Sequence, residues 1–249
     1  MLDESLFTLV LFGIGVVFIW GPWLLAQKIR PFFGKKQLNH WLAQRNQSKK
    51  MVQAVKTLTA LYANTNPARV SKYTRLKHNL KQDHFLYGEI DLITLVKLLD
   101  FIQPKPQTIF YDLGSGAGKA VLMASLTYPF AKCIGIELLA PLHQLAQKKC
   151  TLLERLAREK DKNFCSNLHF IQGNFLAIDF SDADIIFANA TAYKGETWDN
   201  LVNKLKTVKR GCRIIVTTFK LNSLDFKILY EGAELMSWGF CSVRIYEKL

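Results

Sequence analysis

The stretch that most constrains the fold is Thr108 to Lys119. A short β-rich run (TIFYDL) opens directly into Gly114-Ser-Gly116-Ala-Gly118, and a helical pattern takes over at Ala120. A strand that passes through closely spaced glycines straight into a helix is the opening of a strand–crossover–strand unit. From Asp83 onward the chain keeps alternating the two periods. Ile90–Ile102 (ending before Pro104), Ala120–Leu126, Leu142–Lys160 and Glu196–Val208 carry apolar residues at helical spacing. Cys133–Ile136, Leu168–Gln172, Asp184–Ala188 and Arg213–Thr218 are short apolar strand candidates. Leu235–Tyr246 reads as two closing strands that turn near Gly239. The alternation predicts an α/β, doubly wound, mostly parallel seven-stranded sheet with helices on both faces. At 249 residues and 49% hydrophobic content, the chain can bury one sizeable domain, which excludes a disordered chain.

Charge is unevenly placed. The formal net charge is +13, yet between Gln27 and Gln82 stand thirteen Lys or Arg and no Asp or Glu, so the rest of the chain balances to zero. Just before this block, Leu6–Ala26 runs twenty-one residues without a charge, with Trp20 and Trp23 near its end. That length matches the ~30 Å of hydrocarbon in a bilayer. With Asp3 and Glu4 ahead of it and Lys28, Arg30, Lys35 and Lys36 behind, it reads as a single-pass transmembrane helix whose following chain faces the cytoplasm. Pro22 and the glycines at 13, 15 and 21 leave an interfacial or kinked helix as the alternative. An acidic start without a small-x-small cleavage site argues against a signal peptide. The expected organisation is a membrane anchor over 1–27, a basic juxtamembrane helical segment over 28–82 and a catalytic domain over 83–249. The expected localisation is the membrane, with the catalytic domain cytoplasmic. The 28–82 block is expected to contact anionic lipid, with nucleic acid the less favoured partner of the same charge.

Five cysteines, an odd number without a C-x-x-C pair, and five histidines without ligand spacing predict reduced thiols and no metal site.

The chemistry concentrates at the glycines. Closely spaced glycines let the backbone turn sharply and let a nucleotide-like ligand lie against it, beside the free N–H groups of a helix start. Glu137 closes the next strand candidate, nineteen residues after Gly118, where a nucleotide-binding sheet places the acid that accepts from ribose hydroxyls. Two ligand classes compete for such a loop. The spacing here is G-x-G-x-G rather than G-x-G-x-x-G, and Asp112 precedes it. A carboxylate at that point repels a pyrophosphate and suits a sulfonium or an amino group, so the pattern favours S-adenosylmethionine over NAD.

These residues resemble the class I S-adenosylmethionine-dependent methyltransferases, whose fold is Rossmann-like. More narrowly, Tyr87-Gly88-Glu89, Asp112-Leu-Gly-Ser-Gly116, Gly135-Ile-Glu137, Gly173-Asn-Phe175 and Ile186-Phe-Ala-Asn189-Ala-Thr-Ala-Tyr193 fall in the order of the non-SET histone-lysine methyltransferases of the disruptor-of-telomeric-silencing type. The resemblance covers roughly residues 85 to 220. It implies that Tyr87 and Glu89 belong to a loop closing over the methionine part of the cofactor, and that Asp112 accepts from its amino group. Gly114, Gly116 and Gly118 would shape the floor, Glu137 would bind the ribose, and Asn174 and Phe175 would meet the adenine. Asn189 and Tyr193 would be the catalytic residues, Asn189 facing the departing methyl and Tyr193 lining the lysine channel with Thr191. Asn174 stands where the family has Asp, and Thr191 where it has an aromatic. Ser115 and Lys119 read as loop and surface.

The activity implied is methyl transfer to a protein lysine amine by a membrane-anchored enzyme. Asn189-Ala-Thr-Ala-Tyr193 is also a loose echo, without its prolines, of the Asn-Pro-Pro-Tyr motif of enzymes that methylate nucleic-acid bases or glutamine. A cofactor-binding sensor without transfer activity is the third reading.

Overall fold

A computed structural model describes residues 48–78, 87–160 and 166–249. Residues 50–249 form one compact unit. Helices α1 (Ser48–Tyr62) and α2 (Pro67–Lys77) come first. Asn66 caps α2 by accepting from the Arg69 N–H, and Pro67 fills its first turn, where no N–H is needed. The stripe Met51, Ala54, Leu58, Leu61 and Tyr62 is buried, so one face of this basic segment belongs to the core. Helix α3 (Leu92–Ile102) follows, capped by the Asp91 carboxylate on the Ile93 and Thr94 N–H groups.

Then come β1 (Ile109–Leu113), α4 (Lys119–Thr127), β2 (Lys132–Glu137), α5 (Ala140–Arg158), β3 (Leu168–Gln172), β4 (Ile185–Ala188), a 3-10 turn over Ala190–Ala192, α6 (Glu196–Leu205), β5 (Arg213–Thr217), β6 (Phe226–Met236) and β7 (Gly239–Lys248). The seven strands form one sheet in the order β3-β2-β1-β4-β5-β7-β6. The first five pair in parallel, and β7 pairs antiparallel with both β5 and β6. The central parallel strands are buried almost throughout, as expected of strands covered on both faces. Crossing β1 to reach β4 reverses the winding. This topological switch opens a crevice at the carboxyl ends of β1 and β4.

The sheet is mixed: five strands run parallel and β7 turns back against them beside β6. One expectation is corrected. The expected N-terminal transmembrane helix is not borne out: among the described residues no helix is long and apolar enough to cross a membrane. The longest, α5 at 19 residues, is amphipathic and carries Lys148, Lys149, Arg155 and Arg158. Leu6–Ala26, where the span was expected, lies outside the described residues. Among the described residues, single-pass localisation with a cytoplasmic catalytic domain therefore has no structural element to rest on, and nothing among them speaks for the expected lipid contact through 28–82.

Candidate active site

The crevice is a cavity of about 790 Å³. Of the expected site residues, Tyr87, Glu89, Asp112, Gly114, Gly116, Glu137, Asn174, Phe175, Asn189 and Tyr193 all line it. Gly118 does not. It starts α4, and a Cβ there would meet Phe170 at 2.7 Å, so it serves helix-on-sheet packing.

The glycine loop is folded against two tyrosines. Gly114 and Gly116 have φ of 80° and 55°, a region that L side chains rarely enter. A Cβ on Gly114 would overlap the Tyr193 hydroxyl, and one on Gly116 would sit 2.9 Å from the Tyr87 ring.

The floor is acidic. Asp112, on β1, is 3% exposed, and no described residue donates a hydrogen bond to its carboxylate. Burial, with Glu137 adding repulsion, pushes its pKa up to about 8. Glu137 is held differently: one oxygen accepts from the Gly116 N–H at 2.8 Å and the other from the Leu139 N–H at 2.7 Å. Burial raises its pKa, while these backbone donors oppose the rise. Each oxygen keeps acceptor capacity for a further hydroxyl. The Ser115 hydroxyl is buried with no hydrogen-bond partner. A buried, unpartnered carboxylate beside a second one fits a ligand that brings positive charge and donors. It does not fit a pyrophosphate. S-adenosylmethionine meets that requirement with its ammonium, its sulfonium and its ribose hydroxyls.

The opposite wall is more tightly tied than the sequence implies. The Asn189 amide donates to the Gly88 carbonyl at 2.9 Å, and its Oδ1 accepts from the hydroxyls of Thr217 at 2.8 Å and Thr191 at 3.2 Å. Thr191 in turn meets Thr218, which has a left-handed φ of 69°. The Tyr193 hydroxyl donates to the Leu113 carbonyl at 2.7 Å, its ring lies 5.0 Å from that of Phe175, and burial keeps its pKa high. Asn174 uses its carbonyl on the Leu176 N–H, an Asx turn that leaves one lone pair for a ligand. Tyr87 donates to Glu89 at 2.5 Å, and Glu89 pairs with Lys119 at 2.6 Å.

Sequence reasoning missed Lys119 and Ser71, both of which line the cavity. Lys119 reads as a surface residue because it follows the glycines at a helix start. Ser71 sits in the basic segment, where no pattern marks it. Only its place on the buried side of α2, with Pro67 and Thr74, hints at it.

A sheet of this order with an acidic, glycine-floored crevice at its switch point defines a class I S-adenosylmethionine-dependent methyltransferase. Residues 65–237 match the family described as histone methylation protein DOT1, and the chain belongs to that family. A Caenorhabditis elegans relative named histone-lysine N-methyltransferase, H3 lysine-79 specific, is 33% identical over 53% of this chain and 14% of its own length. An Eremothecium gossypii relative of the same name is 27% identical over 64% of this chain and 28% of its own. The chain thus spans less than a third of either. A Saccharolobus islandicus protein-lysine N-methyltransferase is 24% identical over 53% of this chain and 74% of its own length. Among solved structures, TrmN from Thermus thermophilus superposes with a TM-score of 0.50 at 20% identity, over 67% of this chain and 52% of that one, a likeness of fold.

Proposed function

We propose that this chain transfers a methyl group to the ε-amine of a protein lysine, with the chemistry carried by residues 83–249. The observation that carries the reading is Asn189. It leaves the end of β4 on the wall of the same cavity as Asp112 and Glu137, in a chain of the DOT1 family. The relatives with 14% and 28% of their length matched are named for histone H3 lysine 79, and the archaeal relative for protein lysine in general. Lysine, rather than histone, is the part of those names that they share.

When bound, S-adenosylmethionine supplies an electrophilic methyl on a sulfonium. The protein's part is placement and exclusion of water. Asp112, in its ionised form, would accept from the ammonium and so give up the proton that its buried site favours. Glu137, fixed by two backbone N–H groups, would accept from ribose hydroxyls. Phe175 would back the adenine, and Tyr87, whose ring lies over Gly116, would cover the loop. Asn189 holds the Gly88 segment on the cavity wall, its own carbonyl fixed by the hydroxyls of Thr191 and Thr217. A lysine amine, with a pKa of about 10.4 in water, attacks only when neutral. A dry channel lowers that pKa, and the proton leaves to solvent before closure.

The test is incubation of the full chain with methyl-labelled cofactor and fractionated lysate proteins, followed by mass spectrometry of the labelled peptides. Label on lysine side chains is the expected result. Label on glutamine or on nucleic acid, or bound cofactor without any transfer, would replace this reading by one of the other two.

A further inference from the structure

The basic helices contribute more than charge. Tyr62, the last residue of α1, is 6% exposed, and its hydroxyl donates to the Ala117 carbonyl at 2.5 Å. Ala117 lies between the second and third glycines of the loop and is itself buried. The Tyr62 ring is flanked by two ammonium groups, with Lys119 Nζ 5.0 Å and Lys149 Nζ 5.1 Å from its centroid. Lys149 also donates to the Leu61 carbonyl at 2.6 Å, which ties the end of α1 to α5. Lys119 continues to Glu89, and Glu89 to Tyr87, whose ring lies over Gly116. One aromatic side chain therefore touches the glycine loop from outside. It also orients the lysine that holds the cavity's Tyr87–Glu89 segment. A tyrosine that only filled a gap in the core would need neither the carbonyl bond nor the two cations.

We propose that Tyr62 is a positioning residue for the cofactor site. Its hydroxyl fixes the loop at Ala117, and its ring seats Lys119 against Glu89. The inference rests on the reading that this loop holds the cofactor. In that view α1 is part of the binding site although it never reaches the cavity, and residues 50–62 are needed for cofactor affinity rather than for reaching a partner.

The experiment compares the full chain with its Tyr62→Phe and Tyr62→Ala variants by three readouts: hydrogen exchange at amides 114–118 in the cofactor-free protein, calorimetric cofactor affinity, and kinetics. Tyr62→Phe keeps the ring and loses one hydrogen bond to a neutral carbonyl, worth about a fivefold weakening. Loop exchange should accelerate, cofactor Kd and KM should rise together by about that factor, and kcat should hold. Tyr62→Ala should exceed Tyr62→Phe in all the affected measures, because Lys119 is released as well. Wild-type loop exchange in Tyr62→Phe would overturn the proposal, and so would Tyr62→Ala losing stability without faster loop exchange. The exchange measurement needs no ligand. A chain that bound no cofactor would refute the cofactor reading, while loop exchange would still decide the role of Tyr62.

Discussion

The Asn189 amide reaches 2.9 Å across the crevice to the Gly88 carbonyl, joining the end of β4 to the segment that precedes α3. The residue expected to face the methyl therefore also holds the wall around it. Its carbonyl is already engaged by Thr217 and Thr191, so an incoming amine does not find it free.

Asn189→Ala is accordingly expected to lower kcat by about 10²-fold and to weaken cofactor binding as well, by several-fold, since the Gly88 segment loses its tether. Calorimetry and steady-state kinetics on one preparation separate the two effects. Wild-type cofactor affinity would show that the tether is dispensable.

Asp112 makes ionisation a handle on binding. Burial raises its pKa from the ordinary 3.8 to about 8. A carboxyl whose folded pKa is raised contributes stability at low pH and loses it as pH climbs from about 4 through about 8. Asp112→Asn should therefore be more stable than wild type at pH 8 without ligand, with the difference vanishing near pH 4, in urea titrations followed across pH. It should also bind cofactor about 10–100-fold more weakly, the scale of a hydrogen bond to a charged group. Binding to the wild type at pH 7 should release close to one proton, measurable by titration in buffers of different ionisation enthalpy.

The Tyr193 hydroxyl is committed to the Leu113 carbonyl, and its ring to Phe175. Tyr193→Phe should cost ~1 kcal/mol of stability and leave turnover within a few-fold of wild type. Tyr193→Ala should cost about 3 kcal/mol, because the loop and Phe175 lose their backing. Thermal melts and turnover of the two variants decide whether the ring or the hydroxyl matters.

Much of this site is legible in the sequence because the loop demands it. A strand, an acid and glycines at short spacing have few other uses, and Glu137 follows from the length of one crossover. The parallel strands are also legible, since burial on both faces leaves near-continuous apolar runs such as Ile185–Ala188. What stays hidden depends on long-range contact. The first half of β6 carries Lys227, Glu231 and Gly232 on a sheet edge with a register shift near Ile228, so no alternation survives to mark it. The basic run between 27 and 82 reads as a juxtamembrane helical segment facing anionic lipid. Its apolar stripe is spaced for a helix, but only the folded protein shows that Tyr62 at its end meets the glycine loop. Lys119 is a surface residue by type, and Glu89 and Tyr62 alone make it part of the wall.

Gly88 carries a relationship that a double substitution can test. Trp238, in the β6–β7 turn, lies where a Cβ on Gly88 would be, so its ring packs directly against that backbone. The same turn is held to the segment by the Ser237 N–H donating to the Glu89 carbonyl at 2.8 Å, and by the Glu89 N–H donating to the Ser237 hydroxyl at 3.0 Å. Gly88→Ala should destabilise the protein by ~1–3 kcal/mol through overpacking and should push the Tyr87–Glu89 segment off the cofactor. Trp238→Ala alone leaves the segment unbacked and should weaken cofactor binding with a smaller loss of stability. If the ring is the reason for the glycine, the pair should be far from additive. Gly88→Ala in the Trp238→Ala background should then cost little further, a coupling of about 1 kcal/mol or more in a double-mutant cycle on stability. Additive losses would mean that the Trp238 ring is not the reason for the glycine.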